Sequence, residues 1–192
     1  LLEQRPVLGN AATAGVLGFA GDFACQRWFE GSPGFDATRS WAMTSFCTGY
    51  HGVACYFIYG MYDLLLPAAA VATKLRCGVS KALVDNVLHL PFLYTPFFYI
   101  YVGLAQNEGL VASVQTLRRE WWGTVASCFA FWIPFDVMMF GVMPARYRIA
   151  VMSTGCLVWN AYLSVCSQAG SKVEPSVPVP APAPPTDGTL LV

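Results

Sequence analysis

The sequence predicts an all-α integral membrane protein: a helical bundle of four to five apolar segments, kinked at prolines, with one short amphipathic interfacial helix. Charged residues make up 11% of the 192 residues and hydrophobic residues 56%, whereas soluble domains carry roughly 25% charged residues. The few charges also lie outside long apolar stretches. A soluble fold would have to bury five such helices in one small domain, so a bilayer fits the composition better.

The distribution of charge marks out the apolar segments. Three stretches contain no charged residue: 40–62, 86–107 and 149–171. Two more contain a single acid, Asp22 within Pro6–Gln26 and Asp136 within Trp121–Met143. Each stretch can supply the roughly 20 residues that cross a hydrocarbon core of about 30 Å.

Helix limits follow from these stretches and from the prolines. The predicted helices are Pro6–Trp28, Ala37–Leu66, Ser80–Leu104, Trp122–Met143 and Ile149–Cys166. Pro91 and Pro96 should kink or locally unwind the third helix, and Pro134 should break the fourth. Between them, apolar residues recur at helical spacing in 110–121 beside charged ones, which indicates an interfacial helix lying along the membrane surface; a solvated loop helix is the alternative.

Two features favour contact with other membrane protein subunits. The first helix carries two helical rows of mostly small residues: Ala11, Gly15 and Phe19, and Ala14, Gly18 and Asp22. Such rows let helix backbones approach closely in lipid. Residues 1–169 are predicted as the membrane bundle and 170–192 as a Pro/Ala-rich extended tail, which can bind a partner in a low-entropy form.

Several function classes receive no support from the sequence. Net charge is zero, so nothing points to nucleic acid. No nucleophile, phosphate-loop or zinc-protease motif occurs in a usable context, which argues against an enzyme. The seven cysteines are odd in number and form no Cys-x-x-Cys pair, so neither a disulfide framework nor a metal site is expected. No cofactor is predicted.

Polar residues inside the apolar stretches are the candidate pore or intramembrane residues. They are Asp22, Gln26, Asp85, Asn86, His89 and Asp136. A carboxylate in lipid is costly unless it is paired, protonated or in contact with water. Asp22 and Asp85 therefore either line a polar path through the bundle or form structural clamps, in which Arg27 and Lys81 are their nearest basic neighbours.

Asp136 has no basic neighbour in its own segment, so it is the stronger candidate for a pore-facing group. Arg146 or Arg148 could nevertheless fold back onto it across the break expected at Pro134. His51 and His89 lie mid-segment on different helices and would suit two axial haem ligands. Histidines packed by hydrogen bonds are far commoner, and nothing else in the sequence supports haem.

A set of residues spread along the chain resembles a family signature: Gly21, Arg39, Gly49, Asp63, Pro91, Trp132, Pro144, Tyr147, Arg148, Trp159 and Asn160. The order and spacing resemble the family of small organellar membrane proteins that includes the 22-kDa peroxisomal membrane protein and a mitochondrial inner-membrane (Mpv-type) protein. The resemblance covers Arg5 to about Ser167 and is most specific from Trp132 to Ser164. One departure is Asp136, which replaces an intramembrane glutamine.

The resemblance implies a weakly selective pore for small solutes, or a membrane-homeostasis protein, that is not an enzyme. It places such a protein in an organellar membrane, with the mitochondrial inner membrane as first choice and the peroxisomal membrane as the alternative. A competing hypothesis is a structural accessory subunit docked on a large organellar membrane complex. The small-residue helix faces and the Pro-rich tail would make its contacts.

Overall fold

The structure, a computed structural model, describes residues 5–29, 34–67 and 73–171; side chains at residue 29 and from residue 160 onward are not described. In chain order its helices are α1 (Pro6–Ala24), a first π-helical segment (Cys25–Phe29), α2 (Ala37–Phe46), a second π-helical segment (Cys47–Ala54), α3 (Cys55–Leu65), α4 (Lys74–Val84), a third π-helical segment (Asp85–Tyr94), α5 (Thr95–Ala105), α6 (Leu110–Val142), a short 3-10 turn (Ala145–Tyr147) and α7 (Arg148–Ser171). No strand occurs within the described ranges. The all-α prediction is confirmed, and the predicted tail lies outside the described residues from 172 onward.

The second and third predicted helices are each continuous through a π-helical segment. Asp36 caps α2, because its carboxylate accepts a hydrogen bond from the backbone N–H of Arg39 at 2.9 Å. Thr73 caps α4 in the same way, accepting from the backbone N–H of Arg76 at 3.2 Å. This cap explains why the third helix begins before Ser80. Local unwinding around Pro91 takes the form of the third π-helical segment.

The prediction of a separate interfacial helix is wrong for the described structure. Residues 110–121 and the apolar segment after them form one helix, α6, of 33 residues. Nothing at the junction can stop a helix, since a lone Gly123 costs only about 1 kcal/mol relative to alanine. The predicted break at Pro134 is also wrong: α6 runs through this exposed proline.

Two helices among the described residues are long and apolar enough to cross a membrane, Lys74–Ala105 and Leu110–Val142. The prediction of four to five apolar segments is not confirmed by this measure. The bundle nevertheless exposes many large apolar side chains and buries several polar ones. Leu64, Trp122 and Val111 are 82%, 76% and 72% exposed, whereas acids, amides and histidines lie in the interior.

Glycines bring the helices of the bundle close together. A Cβ atom at Gly18 would lie 2.7 Å from Sγ of Cys47, and one at Gly52 would run into the backbone of Ala11. α4 and α6 cross at Gly78, where a Cβ would lie 2.7 Å from the backbone of α6. The small-residue face of α1 thus packs on the second π-helical segment of the same chain.

Candidate functional site

A polar cluster joins the end of the first helix to the start of the second. The carboxylate of Asp22 accepts hydrogen bonds from Gln26 Nε2 at 2.8 Å and from the hydroxyl of Ser40. Arg39 Nε lies 3.0 Å from the other oxygen of the carboxylate. The amide oxygen of Gln26 accepts from the backbone N–H of Asp36 at 2.7 Å. These contacts make Asp22 a clamp between two helices.

A second polar cluster lies at the centre of the bundle. Asp85 accepts a hydrogen bond from the hydroxyl of Tyr62 at 3.0 Å and lies 2.7 Å from Nδ1 of His89. Nε2 of the same histidine is 2.8 Å from the hydroxyl of Tyr50. All four side chains are buried. They form a continuous hydrogen-bonded chain that links α3, the third π-helical segment and the second π-helical segment.

Asp136 belongs to the same buried region. Its carboxylate accepts a hydrogen bond from Nδ2 of Asn86 at 2.7 Å, and that amide also donates to the carbonyl of Ala82 at 2.9 Å. Asp136 is 2% exposed and Asn86 is fully buried. A carboxylate held by a neutral amide keeps lone pairs that a water molecule or a cation can use.

These polar groups border a cavity of about 40 Å³, which we call the inner cavity. Its wall includes Asp85, His89, Asp136, Tyr59 and Met152. A cavity needs roughly 10–15 Å³ of such volume to hold one water molecule. The inner cavity is therefore large enough for more than one water and has the polar partners that buried water requires.

A larger cavity of about 310 Å³, which we call the outer cavity, lies beside it. Its wall contains Thr95, whose hydroxyl is buried without a hydrogen-bond partner, and the exposed residues Gly123 and Ser127. The two cavities share three wall residues: His51, Tyr94 and Cys156. These three side chains form the neck between the cavities.

A third charged cluster lies where α3 ends and α7 begins. Arg148 donates from one terminal nitrogen to both oxygens of Asp63, at 2.8 and 2.7 Å, and Lys81 pairs with the same carboxylate. Burial alone would raise the pKa of this carboxyl, but the hydrogen bonds from Arg148 and Lys81 outweigh it and hold the pKa of Asp63 below its usual value. Asp63 thereby balances two largely buried cations.

The structure places the six polar candidate residues in two separate groups. The basic residues that the sequence suggested as partners of the acids are not the ones in contact with them. Asp22 and Gln26 form the clamp described above, with Arg39 rather than Arg27 as the basic partner. Of the other four, Asp85, His89 and Asp136 line the inner cavity, and Asn86 is hydrogen-bonded to Asp136.

The basic partners expected for the central acids lie elsewhere. Lys81 pairs with Asp63 and not with Asp85, because the polar face of α4 turns toward the end of α3. Arg148 pairs with Asp63 and not with Asp136. His51 lies 3.7 Å from Sγ of Cys156, and no group of three metal-ligating side chains occurs in the described part of the chain.

Residues of the family signature take part in packing contacts, in ion pairs and in the turn between α6 and α7. Trp132 and Trp159 lie together, with ring centroids 6.4 Å apart. A Cβ atom at Gly21 would lie 3.6 Å from Leu157, so the two helices are in contact there. Arg39, Asp63, Pro91 and Arg148 lie in the clusters and segments described above. Gly49 is exposed, Pro144 and Tyr147 join α6 to α7, and the side chain of Asn160 lies outside the description.

Sequence reasoning missed Ser40, Tyr50 and Tyr62 as members of the polar clusters. A tyrosine in an apolar stretch is also typical of an anchor at the membrane surface, so its presence alone does not indicate a buried polar partner. The available signal was spacing: Tyr50 and Tyr62 are twelve positions apart, which puts them about 18 Å apart along a helix. Both therefore cannot lie in one surface layer.

The fold and the buried site together define a helical membrane protein with an apolar exterior and polar clusters buried in its core. A family model described as Mpv17 / PMP22 family matches residues 103–164. The resemblance drawn from the motifs is thereby confirmed by an independent match over this segment. The matched segment contains the whole of the C-terminal signature, Trp132 to Ser164.

Curated relatives are similar over most of the chain. Mitochondrial inner membrane protein Mpv17 of Danio rerio is 28% identical, with 85% of this chain and 91% of the relative covered. Protein SYM1 of Debaryomyces hansenii is 24% identical, with 85% and 84% covered. Peroxisomal membrane protein 2 of Bos taurus is 21% identical, also with 85% and 84% covered. These names state no catalytic activity, and no solved structure matches the chain significantly.

Proposed function

We propose that this chain is a non-enzymatic organellar membrane protein that forms a narrow, gated pore for small solutes. The observation that carries the proposal is the arrangement of the inner and outer cavities in series, with His51, Tyr94 and Cys156 as their common wall. The names of the zebrafish and bovine relatives support the mitochondrial inner membrane as first choice of location and the peroxisomal membrane as second.

The two cavities and the polar chain together supply a route along the bundle. The outer cavity begins near Glu120, at the end of the apolar part of α6. Beyond the neck lie the central acids Asp85 and Asp136. The hydroxyl of Tyr62 donates a hydrogen bond to Asp85. Tyr62 directly precedes Asp63, which lies at the opposite end of the apolar stretch. Polar side chains are thus found from the outer cavity to Asp63, whereas a purely apolar core would offer a solute no polar contacts.

The chemistry of the route favours small cations. The hydrogen-bond partner of Asp136 is the neutral amide of Asn86, which does not cancel a negative charge. Acidic residues in a pore select for cations. In this proposal His51 and Tyr94 act as the gate between the cavities, and the unwound segment around Pro91 permits local motion of its helix.

The purified chain in a planar bilayer should show discrete conductance that depends on the outer cavity. Gly123 lines this cavity, and a Cβ there meets no atom within 4 Å, so Gly123→Phe should fill the opening and reduce conductance toward baseline. Gly34→Phe is the matched control, because a Cβ at Gly34 also meets nothing. Equal conductance in the two variants, or no conductance in the wild type, would remove the pore.

Cation selectivity should depend on Asp136. In the same bilayers Asp136→Asn should lower the ratio of cation to anion permeability, measured as a shift of the reversal potential in a salt gradient. Glu108→Gln removes one exposed acid outside both cavities and serves as the control. If both variants shift the reversal potential equally, the charge at Asp136 does not face the solute.

A structural accessory subunit is the second candidate, favoured by an aromatic patch on the outside of the bundle. Phe19, Phe23 and Phe35 pack against one another, with Trp28 beside Phe23, and all four are 40–72% exposed. A partner subunit could cover this patch. On a native gel in mild detergent the chain would then co-migrate with a high-mass assembly, and Phe23→Ala would release it. Migration of the wild-type chain as a monomer would contradict this candidate.

A further inference from the structure

A groove of about 500 Å³ runs along α3 beside the start of α7. One side is apolar and exposed, with Phe57, Met61 and Leu64 between 48% and 82% accessible. The other side contains Asp63 and Arg148 of the charged cluster. A groove with an apolar wall and a charged end has the polarity of a phospholipid, whose acyl chains and headgroup require different surroundings.

The charged end of the groove has donor capacity left over. Arg148 uses one terminal nitrogen for both oxygens of Asp63, while its Nε is buried and has no hydrogen-bond partner. An unsatisfied buried donor costs free energy until an acceptor reaches it. The groove also includes Ala145 of the 3-10 turn and Ile149 in the first turn of α7, and the dipole of a helix favours an anion near its N-terminus.

Charge at this end of the bundle is unbalanced. Lys81 and Arg148 pair with Asp63 at this end. Lys74 and Arg76 begin the helix that contains Lys81, and Arg146 lies in the turn before Arg148. Asp63 is the single acidic residue that the described segments place with them. The groove also lies at the limit of two charge-free stretches, which end at Tyr62 and begin at Ile149. In a helix that spans a bilayer, the end of the apolar stretch lies next to the headgroup region.

We propose that this groove binds an anionic phospholipid, with the phosphate against Arg148 and the start of α7 and an acyl chain along Phe57, Met61 and Leu64. The site is separate from the two cavities of the pore, with Tyr59 as the one wall residue it shares with the inner cavity. The proposal therefore holds or fails independently of conduction. Basic pockets between membrane helices are known to take phosphate headgroups.

The test measures how short-chain lipids shift the melting temperature of the full chain in detergent. Dioctanoyl phosphatidylglycerol should raise the melting temperature in a saturable way, whereas dioctanoyl phosphatidylcholine should have a clearly smaller effect. Equal shifts from the two lipids would overturn the requirement for an anion. Inorganic phosphate at the same concentration should give little shift, and a shift equal to that of phosphatidylglycerol would overturn the lipid as occupant.

Two variants locate the effect in the groove. A Cβ at Gly60 meets nothing within 4 Å, so Gly60→Phe should fill the groove and abolish the phosphatidylglycerol shift without altering the melting temperature in detergent alone. Gly49→Phe, three turns away and equally open, is the matched control and should keep the full shift. Arg148→Lys keeps the charge beside Asp63 but removes Nε, and should weaken binding roughly fivefold. Wild-type binding in both Gly60→Phe and Arg148→Lys would refute the site.

Discussion

Replacing Gly52 with alanine should lower the unfolding free energy by about 3 kcal/mol or more, the upper part of the range for overpacking. The added Cβ would run into the Cα of Ala11 and lie 2.9 Å from its backbone nitrogen and 3.0 Å from the carbonyl oxygen of Asn10. Backbone atoms of a packed helix cannot turn aside as a flexible side chain can. Relief requires α1 and the second π-helical segment to move apart.

Gly49→Ala provides a control on the same helix, three residues earlier. A Cβ there meets no atom within 4 Å, and replacing an exposed helical glycine by alanine is stabilising by up to about 1 kcal/mol. Labelling by a thiol-reactive dye during heating reports unfolding, since the six cysteines that the structure describes are all buried. Similar melting temperatures for the two variants would show that the helices do not approach at Gly52 as described.

The limits of the helices were largely readable from the sequence, because charges and prolines act locally. The second helix ends at Leu65, one residue before the predicted Leu66, since Pro67 cannot continue it. The continuity of α6 was not readable. Its amphipathic first part and apolar second part differ in composition, which suggested two elements, yet backbone continuity depends only on the absence of a breaker between them.

The partners of the buried charges were the least predictable feature. Sequence neighbours suggested Arg27 for Asp22, but the residue in contact is Arg39, which lies on another helix. A helical turn brings only residues three or four apart into reach, and contacts between helices depend on their crossing. The identity of the central acids, Asp85 and Asp136, was readable because a lone carboxylate in an apolar stretch demands a partner.

Replacing Asp63 with asparagine should destabilise the chain by about 3 kcal/mol, the lower end of the range for breaking a buried ion pair. The substitution keeps the shape of the side chain but removes the negative charge shared by Lys81 and Arg148. Lys81 is only 4% exposed and Arg148 only 9%. Water therefore cannot solvate either cation in place of the lost carboxylate. The lower end applies because Asp63 itself is about one-third exposed, and water screens part of the interaction.

The pH dependence of stability gives this prediction a second, independent readout. The pKa of Asp63 is lower in the folded chain than in the unfolded chain, so its stabilising effect is complete above the unfolded pKa of about 3.9. The effect is lost as pH falls through the lower, folded pKa. Melting temperatures of the wild type and Asp63→Asn should therefore differ at neutral pH and converge under acid conditions.

Asp36→Asn is the matched control, because asparagine caps a helix about as well as aspartate and Asp36 is exposed. Its melting temperature should stay near that of the wild type at neutral pH. A loss in Asp36→Asn equal to that in Asp63→Asn, or a constant gap between wild type and Asp63→Asn down to low pH, would mean that Asp63 does not balance Lys81 and Arg148. The anchoring of α7 to α3 and α4 would then rest on packing alone.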